Sequence, residues 1–366
     1  MTRGIRWVAG SGPGHDEREG AATRGLPSCP SIRYEDRESP RALRLPMTAI
    51  PQSRLVTIFG GSGFVGRHIV RALANEGWRI RIAVRRPHVA HFLRPMGRVG
   101  QIQLLKTNVR NDDDVAAALD GADAVINLVA LIKQSGAQRF DAIHVEGSER
   151  VARLAAAAGV KRLIHFSALG ASTEAPARYF RTKATGENRV QDAFGGATIV
   201  RPALVFGAED DFFNRFAGLI RMMPLFFPLF GGGKTRFQPV FVGDVARAAA
   251  TLLGDETSAG KIYELAGPEE MTLKQVLELT LRETNRKRVL IPVPLVIARI
   301  KGAFLQFVPG APLTYDQAKM LETDTLPSGR APGLRDLGIT PTGPEAIVPS
   351  YLWRFRKRGQ FEALPQ

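Results

Sequence analysis

An α/β fold, a doubly wound parallel sheet carrying a smaller and less regular C-terminal lobe, is what this 366-residue sequence predicts. Three observations carry that prediction. From Arg54 onward, short β-branched apolar runs alternate with segments of helical period, the pattern of right-handed βαβ units. The first run leads straight into a glycine-rich turn and a helix, and after Gly207 the alternation loosens.

The elements follow in order. LVTIF (55–59) is the first strand, and Val65–Ala74 has helical period. RIRIAV (79–84) and IQLLKT (102–107) are the second and third strands; Asp112–Leu119 is a short helix whose acids suit its N-terminus. ADAVINLVA (122–130) is a fourth strand, Val145–Ala158 an Ala-rich helix, and KRLIHFSAL (161–169) a fifth strand. A helix over Tyr179–Phe194 precedes a sixth strand, ATIVRPALVFG (197–207). Beyond it, Phe212–Met223 reads as helix, Pro224–Phe230 as an apolar loop, and Phe237–Val242 and Ile262–Ala266 as strands. Thr272–Glu283 is a capped helix, and Val293–Phe307 is amphipathic, with Arg299 and Lys301 opposite Val296, Ile297, Ile300 and Phe304. The domain division is 54–270 for the sheet domain, 271–345 for the C-terminal lobe and 346–366 for a basic tail. Residues 1–46, without apolar period and rich in Gly, Pro, Ser, Arg and acids, read as a disordered extension or an over-long gene start.

Hydrophobic residues make up 44% and charged residues 23%, ordinary for a globular protein, which excludes collagen and coiled coil. The single Cys29 excludes an internal disulfide, and no His or Cys spacing suggests a metal. Of the net charge of +15, only +2 lies in residues 1–46, so the folded part is basic and favours anionic partners. No apolar run approaches the length of a bilayer span.

Gly60, Gly61, Gly63 and Gly66, with Ser62, Phe64 and Val65 between them, satisfy G-x-x-G-x-x-G between a strand and a helix. Such a turn lets backbone approach a pyrophosphate, and the helix start offers free N–H groups to it, as in a Rossmann-type dinucleotide site. At the end of the second strand stand Arg85 and Arg86, where an NAD site has an acid for the ribose hydroxyl. Two guanidiniums suit a 2′-phosphate, so NADP(H) is favoured over NAD(H); the bland alternative is a solvated strand end. Asn108, Val109, Val129 and Ala130 complete the expected cofactor-binding set.

Ser167 ends the fifth strand, and Tyr179 and Lys183 stand in Y-x-x-x-K on one face of the following helix. These are the candidate catalytic residues. The Lys ammonium is expected to lower the phenol pKa, and the serine to bond a carbonyl or alcohol oxygen.

With GGSGFVG, NLVA (127–130), Ser167, YFRTK and RPALVFG (201–207) over roughly 54–270, the chain resembles the short-chain dehydrogenase/reductase superfamily in its extended or atypical, epimerase/dehydratase-like branch. The resemblance implies that Tyr179 is the acid/base, that Lys183 also binds the nicotinamide ribose, and that the backbone from Pro202 to Val205 touches the carboxamide. One departure stands out: His144, in HVEG, occupies a point where the family usually has Asn in N-V-x-G, which puts a proton relay there in doubt. VFVGDVARAAATLL (240–253), KIYELAGPEEMTLKQVLEL (261–279), PVPLVIARIKGAFLQFVPGAPLT (292–314) and DQAKMLETD (316–324) look like the nucleotide-binding accessory subunits of respiratory complex I and their alphaproteobacterial relatives. That likeness implies bound NADPH with a role in assembly or stability, complex I subunits as partners, and a place on the cytoplasmic side of a bacterial inner membrane or the matrix side of a mitochondrial one. A working reductase, epimerase or dehydratase acting on a sugar nucleotide, isoprenoid or quinone-related substrate is one alternative, and an NADPH-sensing regulator without catalysis is another.

Two surface segments stay open. Met222–Phe230 is a substrate-pocket lid, a partner contact, a membrane-touching loop or a segment buried between the two lobes; WRFRKR (353–358) is a solvated tail or a contact for anionic lipid or an acidic protein. Nucleic acid is not expected, since no binding motif accompanies the cations.

Overall fold

The computed structural model describes residues 54–305 and 314–362, without the side chains of Lys301, Phe304 and Leu305. The expected disordered extension (1–46), the end of the amphipathic segment at Phe307 and the last four residues of the basic tail lie outside the described residues.

The first half follows the sequence closely. β1 (Leu55–Phe59) is buried throughout, as befits a strand covered on both faces. Then come α1 (Phe64–Asn75), β2 (Arg79–Val84), β3 (Ile102–Lys106) and α2 (Asp112–Leu119), capped by the Asn111 side chain. β4 (Ala124–Asn127) is shorter than expected, so Leu128–Ala130 belong to the turn beyond it. A single π-helical turn, Asp141–Val145, leads into α3 (Glu146–Ala157). β5 (Arg162–Phe166), α4 (Arg178–Ala193) and β6 (Thr198–Pro202) follow.

The expected sixth strand is in fact two. Pro202 has no N–H for a ladder, and the chain leaves the sheet there, so that β7 (Val205–Phe206) pairs elsewhere. After α5 (Phe213–Met222), the expected apolar loop is a strand, β8 (Phe226–Phe230), despite Pro228. An edge strand tolerates that proline, and Phe227 and Leu229, buried between less buried neighbours, give the period of two. β9 (Arg236–Phe237), β10 (Val240–Phe241), α6 (Val242–Gly254), β11 (Ile262–Leu265) and β12 (Met271–Thr272) come next. α7 (Leu273–Glu283) opens on a Thr272/Gln275 capping box, then come β13 (Val289–Val293), α8 (Leu295–Leu305), α9 (Tyr315–Met320), α10 (Pro344–Ile347) and α11 (Pro349–Leu352).

Seven strands form one parallel sheet in the order β11-β6-β5-β4-β1-β2-β3. The order reverses between β4 and β1, and the crevice outside their C-terminal ends is where such sheets bind ligands. One core packs α1 and α6 on one face of the sheet; a second packs α2, α3 and α4 on the other. Thr57, buried in β1, is satisfied by donating to the Ala118 carbonyl at 2.8 Å. Three two-stranded sheets, β7/β10, β9/β12 and β8/β13, sit beyond the main one.

The C-terminal segment is tied down rather than free. Arg354 donates to the Ala208 carbonyl (3.1 Å) and Asn214 Oδ1 (2.6 Å), and Arg356 to the Glu283 carbonyl (2.8 Å). The buried carboxylate of Asp210 accepts from the N–H groups of Gly207, Phe212 and Asn214 and, at 2.7 Å, from the Tyr351 hydroxyl. This bond pins the chain end to the loop after β7. Tyr351→Phe should therefore cost about 1.5–3 kcal/mol, the range for a hydrogen bond to a charged group. Urea unfolding checks this; a loss below about 0.5 kcal/mol would show the pin to be idle.

Candidate functional site

The glycine turn crosses the C-terminal end of β1. Gly60 has φ +80°, a left-handed conformation that suits glycine, and its N–H reaches the Ala83 carbonyl at 3.3 Å. A Cβ on Gly66 would lie 2.6 Å from the Gly60 carbonyl oxygen, so glycine there lets α1 close onto the turn. Gly63 is different: its backbone is extended and a Cβ would meet only that same oxygen at 3.3 Å. Gly63 caps α1 without a side chain, and no acid stands in the helix's first turn. The helix start thus keeps its N–H groups and positive dipole end for an anion.

In front of this turn runs a groove of about 450 Å³. Of the expected cofactor residues, Gly60, Ser62, Gly63, Arg85, Arg86, Asn108, Val109, Val129 and Ala130 line it. Gly61, Phe64, Val65 and Gly66 support the turn from behind; Pro202, Val205 and Lys183 do not line the groove. Arg85 and Arg86 are exposed at its edge. Sequence reading missed Thr107, Leu128, Leu131, Gln138 and Ile143, apolar or ordinary polar residues that become wall only through strand order.

Farther along the crevice stand Ser167, Tyr179 and Lys183. Ser167 is buried, and its hydroxyl has no partner among the described residues. Lys183, 2% exposed, donates to the Phe166 carbonyl at 2.6 Å. Burial pulls its pKa down to about 8, against the Glu187 carboxylate, which pulls upward. Glu187 is itself held by Arg201, at 3.1 and 3.2 Å from Nε. The half-buried Tyr179 ring meets Phe140, His144 and Phe180 edge to face at centroid distances of 6.1, 5.5 and 5.4 Å. Burial pushes its phenol up to about 12, so the expected lowering by Lys183 is corrected. Desolvation of the phenolate outweighs an ammonium engaged by a main-chain carbonyl.

Asp316 escaped sequence reading altogether. Its carboxylate accepts from the backbone N–H groups of Arg178 (2.7 Å) and Tyr179 (3.0 Å), capping α4 from 137 residues away. A Thr314/Gln317 capping box announces its helix but not its partner. Glu209, on the loop after β7, reaches His68 Nε2 at 3.1 Å and Arg67 at 3.8 Å on α1.

Glycine turn, free helix start and groove at the sheet's switch point fit a dinucleotide. Residues 56–266 match the model of the NAD dependent epimerase/dehydratase family. The chain belongs to that family. It is 34% identical over 317 residues to the mitochondrial NADH dehydrogenase (ubiquinone) 1 alpha subcomplex subunit 9 of Arabidopsis thaliana, covering 83% of this chain and 79% of that one. The mitochondrial NADH-ubiquinone oxidoreductase 40 kDa subunit of Neurospora crassa is 29% identical over 310 residues, covering 84% and 81%. Among solved structures, the UDP-glucose 4-epimerase of Thermus thermophilus in complex with NAD shares the fold, with TM-score 0.61, 20% identity and coverage of 84% and 99%.

The depressed Lys183 pKa sets a pH dependence. Between pH 8 and 10.5 the unfolded chain holds a proton at this lysine that the folded chain has released, so stability from this group rises with pH across that window. The full rise is on the order of 3 kcal/mol. Lys183→Met removes it, so the variant's advantage over the parent in urea unfolding should be largest at pH 8 and shrink toward pH 10.5. A constant difference would contradict the burial of a charged lysine.

Proposed function

We propose that this chain is an NADP(H)-holding accessory subunit of a complex-I-type NADH:quinone oxidoreductase, with the dinucleotide serving mainly as a structural ligand. The observation that carries the reading is its likeness, over about four fifths of both chains, to subunits of NADH dehydrogenases. The pyrophosphate sits at Ser62 and Gly63 on the start of α1. Arg85 and Arg86 hold the 2′-phosphate, and Asn108, Val109, Val129 and Ala130 wall the adenosine half. Lys183 takes the nicotinamide ribose, with the backbone from Pro202 to Val205 beside the carboxamide. A ligand that binds only the folded chain stabilises it by mass action, which is what a structural cofactor supplies.

A second observation suits assembly. Leu225, just before β8, and Phe226, Val289, Ile291, Val296 and Ile300 on β8, β13 and α8 are exposed. Residues 212–234 and 284–315, which contain these elements, hold eight Lys or Arg and no acid. An apolar face among cations fits an apolar, acidic patch on a neighbouring subunit. Peripheral contact with an anionic inner-membrane surface draws on the same cations; among the described residues no helix is long and apolar enough to cross a membrane. The location is the cytoplasmic side of a bacterial inner membrane, or the matrix side in a mitochondrion.

The catalytic alternative, a reductase, epimerase or dehydratase, is favoured by one feature: the Ser167 hydroxyl is buried and has no partner among the described residues, which suits a substrate oxygen. A mild-detergent pull-down from native membranes, with mass spectrometry of proteins and bound nucleotide, tests the reading. The expected result is co-purified NADH:quinone oxidoreductase subunits and NADPH. Because the 2′-phosphate gains charge-assisted bonds worth roughly 1.5–3 kcal/mol, NADPH should exceed NADH by tenfold or more in affinity. Replacing both Arg85 and Arg86 by Ser should erase that preference. Equal affinities in the parent would overturn NADP(H), and recovery without respiratory subunits would overturn the accessory role.

A further inference from the structure

His144 meets the site from an unusual piece of backbone. The π-helical turn Asp141–Val145 carries it, and its ring is 1% exposed. A π turn inserts a residue and re-aims the side chain beyond it. Here the ring stacks on Phe140 at 5.2 Å and receives the Tyr179 ring edge to face at 5.5 Å.

Both ring nitrogens are engaged, and their partners fix the tautomer. The Leu131 amide donates to Nε2 at 2.9 Å. A backbone N–H can only donate, so Nε2 carries no proton. Nδ1 lies 3.0 Å from Thr182 Oγ1, whose own hydroxyl donates to the Tyr179 carbonyl at 3.0 Å. The Thr182 oxygen therefore accepts from Nδ1–H. The backbone of His144 is clamped to the same helix: a Cβ on Gly186 would lie 2.0 Å from the His144 carbonyl oxygen. Leu131 lines the dinucleotide groove, whereas Thr182 sits between Tyr179 and Lys183 on α4.

We propose that His144 is a positioning residue for the nicotinamide end of the groove: an Nδ1–H imidazole that ties the wall after β4 to the helix of Tyr179 and Lys183, and through which no proton relay passes. To take up a proton, the ring would have to turn an N–H against the N–H of Leu131. Two other titratable groups face it, Lys183 from α4 and His165 from β5. Burial first, and the Lys183 charge second, bring its pKa down to about 3. The inference rests on the dinucleotide reading only for its ligand; the tautomer stands without it.

Two measurements on the full chain decide it. In nitrogen-15 spectra of histidine-labelled protein, the signal lost in His144→Asn should show the Nδ1–H tautomer and not titrate between pH 7.5 and 5. An Nε2–H pattern, or titration near the ordinary value of ~6.5, overturns the proposal. In binding assays, His144→Asn should weaken NADPH several-fold and leave 2′,5′-ADP, which occupies only the adenosine half, unchanged. Equal weakening of both ligands, or of neither, overturns the positioning role. Failure of the parent to bind either ligand overturns the dinucleotide reading, and the positioning role with it, while the spectra still decide the tautomer.

Discussion

The site depends on a helix that begins without a cap. Each helix start leaves backbone N–H groups unpaired, and a Ser, Thr, Asp or Asn side chain normally takes one of them. α1 starts on Gly63 and carries no acid in its first turn. Strand order places that start at the crevice beside β4, and Gly66 lets the helix come close enough to aim it there. An anion that accepts those N–H groups supplies what the sequence withholds. Ligand binding and the stability of the sheet's first βαβ unit are therefore coupled by the same bonds.

Around Ser167, Tyr179 and Lys183, the chain accepts burial costs that an apolar core would avoid. Lys183, Glu187, His144 and His165 are buried together, and His165 Nε2 has no partner among the described residues. His165 is reached on its other nitrogen by Asn127, which also bonds Ser148. Such a polar network specifies one arrangement of the strand ends, at a cost in stability where it is incompletely satisfied. The same burial that positions Tyr179 raises its phenol pKa and holds it in the protonated form.

Most of the sheet was legible in the sequence, because parallel strands buried on both faces read as continuous apolar runs. β1, β2 and α2 stand where the pattern put them. The misreadings share a physical reason: they depend on partners distant in sequence. Val205–Phe206 leaves the main sheet to pair with Val240–Phe241, and Phe226–Phe230 becomes a strand only because Val289–Val293 lies alongside. The glycine turn and the Ser167, Tyr179, Lys183 set were visible as local patterns. The Asp316 cap on α4, the groove wall at Leu131 and the two-sided hold on His144 were not, since each joins elements that no periodicity links. The arginines at 354 and 356 read as free cations and proved to be bound to main-chain carbonyls.

The central claim is that the dinucleotide is held for structure rather than consumed in turnover, and one comparison tests it most directly. Gly63→Val fills the phosphate approach at a position of extended backbone, where a Cβ meets only the Gly60 carbonyl oxygen, at 3.3 Å. Tyr179→Phe removes only the hydroxyl and keeps the ring packed among Phe140, His144 and Phe180. Membranes from cells carrying each variant are assayed for assembled complex and NADH:quinone activity. The structural account predicts that the Gly63 variant loses nucleotide and assembled complex together, while the Tyr179 variant retains both. Normal assembly with Gly63 blocked, or loss of function with Tyr179→Phe while nucleotide is still bound, would contradict it.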